Sequence, residues 1–128
     1  MNKGTWTVVV AEPGKKAEVR TIPANWKEIS KIVGGPIEHT WPLSDDTAVL
    51  CNEEGKLTGL QPNRIIYDED GTPIDVYCGT IVCIGARAEE DDFSSLTELE
   101  TVLYLMLYGE PDITVRGKGR NIYDGIRE

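Results

Sequence analysis

Asn52, Glu54, Lys56, Asn63 and Arg64 stand within one thirteen-residue segment that follows Cys51 and also holds Glu53, Gly55, Gly59 and Pro62. Amides read the edge of a heterocycle by donating and accepting at once, an ammonium meets phosphate or carboxylate as a point charge, and a guanidinium meets them in bidentate fashion. Glycine and proline bend the backbone between these groups, so the segment reads as a polar loop between two apolar strands. Hydrogen bonding and charge pairing within the loop are the competing account of the same residues. Farther on, Tyr77 and Thr80 flank Gly79, which marks a bulge or the close approach of another group, a bound ligand among the candidates. Near the end, Arg116, Lys118 and Arg120 are spaced by glycines. That spacing lets backbone N–H groups and side chains wrap an anion together, although a short basic tail is as readily a plain solvated end.

Catalytic chemistry finds little support. The single histidine, His39, has no Cys or His at ligand spacing, and it shares its side of a strand with apolar neighbours, as a structural imidazole does. Cys51, Cys78 and Cys83 are odd in number, lack C-x-x-C spacing and each sit in an apolar run, the pattern of buried reduced thiols. Glu54 or Asp75 as a general acid or base would need a nucleophile or an orienting partner, and neither is visible beside them. Asp68-Glu69-Asp70-Gly71 lacks the further oxygen ligands and closing glutamate of a calcium loop, and so reads as a hairpin turn. The expectation is no catalytic residue, no metal and no cofactor.

At 128 residues and 40% hydrophobic, the chain can bury a core as one domain. No segment approaches membrane-spanning length, and nothing near the N-terminus reads as a targeting segment, so a cytoplasmic setting is expected. A formal net charge of -9 opposes direct binding to nucleic acid or anionic membrane. It also raises a second function: Asp45, Asp46, Glu53, Glu54, Glu89, Glu90, Asp91 and Asp92, if spaced along one face, would imitate a phosphate backbone and occupy a nucleic-acid-binding protein.

These side chains need a scaffold. Residues 5–11 and 17–22 flank Pro13-Gly14 and predict a β-hairpin, the first strand buried on both faces. Asn25 caps a helix whose stripe is Trp26, Ile29, Ile32 and Val33, ended by Gly34-Gly35. Strands follow over 36–43, 47–51 and 65–67, and residues 74–85 read as one central strand. Ser95-Leu96-Thr97-Glu98 has a capping-box pattern, and Leu96, Leu99, Val102, Leu103 and Met106 form the apolar stripe of a second helix, rich enough to suggest a subunit contact. The fold expected is α+β: a mainly antiparallel sheet of about five strands with two packed helices, one domain over 1–112, and a basic tail over 113–128.

The segments VVVAEPGKKAEVRTI, IVGGPIEHTWPL, AVLCNEEGKLTGLQPNR, YDEDGTPIDVYCGTIVCIG and FSSLTELE resemble DUF3846, a family known only as a domain of unknown function and one that looks carried by bacteriophages and plasmids. The resemblance runs over residues 5 to 107. It implies a mobile-element protein, placed in the bacterial host's cytoplasm, that works by occupancy rather than by catalysis. The leading expectation is a homo-oligomeric sponge for a nucleotide-derived small molecule or immune signal, with Asn52, Glu54, Lys56, Asn63, Arg64, Tyr77 and Thr80 as ligand contacts and Arg116, Lys118 and Arg120 as phosphate helpers. Arg64→Ala is then expected to weaken binding without unfolding the chain. The alternative is the acidic inhibitor of a host defence protein.

Overall fold

The computed structural model describes residues 4–112, so Arg116, Lys118, Arg120 and the proposed tail lie outside the described residues. Among the described residues the order is β1 (Thr5–Ala11), β2 (Glu18–Pro23), α1 (Trp26–Val33), β3 (Ile37–Thr40), β4 (Thr47–Asn52), β5 (Pro62–Tyr67), β6 (Pro73–Cys78), β7 (Ile81–Gly85) and α2 (Glu98–Tyr108). Five strands form one antiparallel sheet in the order β2-β1-β7-β4-β3, and β5-β6 is a separate two-stranded ribbon. The class is α+β, and the chain opens with a β-hairpin followed by a helix.

Strand alternation divides the core into two layers. Val8, Val10, Leu50, Val82 and Ile84 face α1 through Ile29 and Val33. Val9, Val49, Cys51, Ile81 and Cys83 face the opposite way, under Tyr104 and Tyr108 of α2 and Tyr77 of the ribbon. Covering both faces is what makes β1, β4 and β7 continuous apolar runs. Asn25 caps α1 by accepting from the Lys27 N–H, and Gly34 closes the helix at φ 85°, a left-handed value that glycine adopts at little cost.

Several expectations change. Residues 74–85 are two strands in two different sheets. The chain leaves the ribbon at Gly79, where φ is 86° and an added Cβ would lie 2.7 Å from Leu60 Cδ1, so the group approaching this glycine is a half-buried leucine. Trp26 starts α1 but is 60% exposed. Trp41 falls beyond β3, and His39 is exposed, with its ring stacked on Phe93 at 5.6 Å.

The largest change is the rotation of α2. Its cap is Thr97, whose hydroxyl accepts from Glu100 N while the Glu100 carboxylate accepts from Thr97 N. Leu96 is buried ahead of the helix, but Tyr104 and Tyr108 make the inward face, and Leu99, Val102 and Met106 are 67%, 51% and 76% exposed. Two inward polar contacts set this rotation. Tyr104 Oη pairs with Thr47 Oγ1 at 2.6 Å in the core, and Arg87 donates to the Glu100 carboxylate through Nη2 at 2.8 Å and Nη1 at 3.0 Å. Tyrosine buries a large ring when its hydroxyl has a partner, and here that outweighs the leucine stripe.

Candidate functional site

The side chains of the polar segment divide between two places. Asn63 and Arg64 lie in β5 and are fully or almost fully buried. A register shift between Pro62 and Arg64 turns both neighbours inward, where regular alternation would send one outward. Asn63 Nδ2 donates to Ala11 O at 2.8 Å and Gly79 O at 2.9 Å, while its Oδ1 accepts from Arg64 Nη1 at 2.5 Å. Arg64 donates further to Tyr108 O through Nε at 3.0 Å, to Lys15 O through Nη2 at 2.6 Å and to Glu12 O at 3.4 Å. One guanidinium thus ties the first hairpin to the ribbon and to the end of α2, where the helix dipole favours a cation. Burial pulls its pKa down, and the negative charge of Asp112 works against that fall.

Asn52, Lys56 and Tyr77 converge elsewhere, on a cleft of about 80 Å³ between the β3-β4 edge and β6, lined also by Glu38, Thr40, Cys51, Asp75 and Cys78. Asn52 Nδ2 donates to Val33 O, and its Oδ1 accepts from Glu54 N, so this amide holds the end of α1 against the loop. The loop glycine Gly55 is required by space: a Cβ there would lie 2.8 Å from Cys78 O. Lys56 pairs with Asp75 at the rim, both about half exposed. Burial alone would raise the Asp75 carboxyl, but the Lys56 ammonium and the Val76 N–H outweigh it and hold it below the usual carboxylate range. Tyr77 Oη meets Thr40 Oγ1 at 2.6 Å. Glu38 stands opposite Cys51 across the β3-β4 ladder, on the same face as Thr40. Burial, reinforced by Glu38, pushes the Cys51 thiol up to about 12, so it stays protonated and unreactive.

Glu54 is exposed at the loop and Thr80 is half-buried in the link between β6 and β7; neither lines the cleft. Glu38 and Thr40 were absent from the sequence-derived set. Strand alternation puts both on one side of β3, but only the ribbon's return over the sheet shows that this side forms a cleft.

The acidic residues also separate. Asp45 and Asp46 precede β4 and Glu53 and Glu54 follow it, about 20 Å apart along a six-residue strand. Asp46 instead adjoins the 86–93 loop, its carbonyl accepting from Ala86 N at 2.8 Å. There an open groove of about 330 Å³ is lined by His39, Trp41 and Phe93 together with Arg87, Glu90, Asp91 and Asp92. Among the described residues no group of three or more His, Cys, Asp or Glu side chains is placed to hold a metal, and no helix is long and apolar enough to cross a membrane.

A family model described as "Domain of unknown function (DUF3846)" matches residues 6–109, ending one residue past α2. No curated protein and no solved structure matches the chain.

Proposed function

The chain belongs to the DUF3846 family, and on that premise we propose a non-enzymatic binding protein that sequesters a nucleotide-derived small molecule by its base end, in the cleft between the β3-β4 edge and β6. The observation that carries this reading is the convergence of Glu38 and Thr40 of β3, Lys56 of the loop after β4 and Tyr77 of β6 beside a thiol that is held protonated. Glu38 suits a ring N–H or an exocyclic amine, and the Thr40–Tyr77 hydroxyl pair suits a heterocyclic edge. Carboxylates outnumber the one ammonium in this lining, so the cleft favours a base over a phosphate. Its volume admits a ring edge, which leaves the phosphate outside, within reach of Lys56 once that side chain turns from Asp75. Arg116, Lys118 and Arg120 are the further phosphate partners in this reading, and a mobile-element sponge acting in a host cytoplasm is its biological form.

Native mass spectrometry before and after mixing with nucleotide extract from phage-infected cells tests it. A retained small-molecule mass, released chemically unchanged on denaturation, is expected; a protein empty at every stoichiometry contradicts it.

A second reading is favoured by the groove at Trp41. A lining that combines aromatic rings with Glu90, Asp91 and Asp92 suits a cationic segment of a host protein, in keeping with an acidic interaction inhibitor. Such a complex weakens steeply with added salt, whereas a small ligand in the cleft is screened less.

A further inference from the structure

The outward side of α2 is apolar along its whole length. Leu99, Val102, Met106 and Leu107 are all more than half exposed, and Leu103 is half-buried among them. Positions 99, 102, 103 and 106 follow the i, i+3, i+4, i+7 spacing of a single stripe, so the pattern that marks a core face is turned to solvent. Monomers seldom expose a contiguous apolar patch beyond roughly 300–600 Å², so an apolar helix face turned to solvent calls for a partner.

We propose that this stripe is the self-association surface of the protein: two copies pack α2 against α2 antiparallel about a two-fold axis, independently of what either copy binds. Three observations select a second copy. The stripe is self-complementary, since its midpoint lies between Val102 and Leu103. An antiparallel pair therefore sets Leu99 against Met106 of the partner subunit and Val102 against the partner's Leu103, as an isologous contact requires. Charge agrees with that direction. The N-terminal end of α2 carries exposed Glu98, while Ala17 N bonds Gly109 O at the other end and brings exposed Lys16 there, ion-paired with Glu110 at 3.6 Å, so Glu98 comes to face the partner's Lys16, which it shares with the partner's Glu110, and not a second Glu98. A parallel pair would set Glu98 against its own copy and oppose the two helix dipoles. Finally, doubling the patch brings the covered area toward the ~1,000 Å² that a specific interface needs.

The test is native mass spectrometry of the full chain together with cysteine crosslinking, against a low background because Cys51, Cys78 and Cys83 are buried. The wild type is expected to be dimeric. Met106→Glu, at an exposed site that leaves the fold intact by circular dichroism, is expected to raise the dimer dissociation constant by about 100-fold or more, because association would bury an unpaired carboxylate. Val102→Cys crosslinks with itself under mild oxidation. Leu99→Cys crosslinks only when mixed with Met106→Cys. A monomeric wild type, an unaffected Met106→Glu dimer, or a Leu99→Cys chain that crosslinks with itself as readily as Val102→Cys overturns the proposal; the first of these leaves the stripe to residues 113–128 or to another protein.

Discussion

The Asn63–Arg64 pair and the Lys56–Asp75 cleft come from the same polar stretch of chain and meet opposite fates. In the first, the donors are turned onto backbone carbonyls of three separate segments, with almost no surface left. In the second, an ion pair stands half exposed at the rim of an opening. Residue type alone does not separate a buried brace from a recognition site. What separates them is how many carbonyls the fold brings within reach. An amide and a guanidinium held by main-chain acceptors are structural before they are anything else, because removing them leaves buried acceptors without donors.

Arg64→Ala is the most damaging change expected. It strips Tyr108 O and Lys15 O of their donor and opens a cavity between three segments, a loss of about 3–5 kcal/mol by analogy with breaking other buried charge networks. A urea titration should show the midpoint collapse. This reverses the expectation from sequence that Arg64→Ala would spare the fold, and a stable variant with lost ligand binding would break the comparison. Asn63→Ala should follow at about 2–3 kcal/mol, since Ala11 O and Gly79 O each lose a donor and Arg64 loses an acceptor. The same titration ranks the two.

Lys56→Met should barely move the unfolding midpoint, within about 1 kcal/mol, because exposed pairs contribute little. Its expected signature is weaker ligand binding in calorimetry with the fold intact, the inverse of Arg64→Ala. Smallest of all is a pH effect. The Asp75 carboxyl is held below its unfolded value, so its contribution is present above the unfolded pKa and lost as pH falls through the lower folded pKa. Comparing thermal midpoints of the wild type and Asp75→Asn across the acid range should show a slight extra loss in the wild type alone, discounted because the pair is half solvated.

Much of the scaffold was legible in the sequence. The Pro13-Gly14 turn between two β-branched runs specified the first hairpin, and the Asn25 cap with its Gly34 stop bounded α1 closely. Local chemistry was enough for both. What failed depended on distant partners. Gly79 looked like an interruption within one strand and is instead the exit from the ribbon, a difference decided by Leu60 from another segment. The α2 stripe obeyed helical periodicity, but Thr47 and Arg87 rotated the helix by binding Tyr104 and Glu100. Asn63 and Arg64 were read as loop side chains because the register shift that turns both inward has no local sequence signal. At the candidate site, Asn52, Lys56 and Tyr77 were found from their types, whereas Glu38 and Thr40 needed the ribbon's position.

The measurement that tests the central claim most directly is an ¹H–¹⁵N correlation titration of the full chain with a mixture of purine and pyrimidine nucleoside monophosphates. Binding in the cleft predicts that the amides of Thr40, Asn52, Lys56, Val76 and Tyr77 shift together, while those of Asn63 and Arg64 stay in place. Shifts centred on residues 86–93, or no shifts at any concentration, would contradict it.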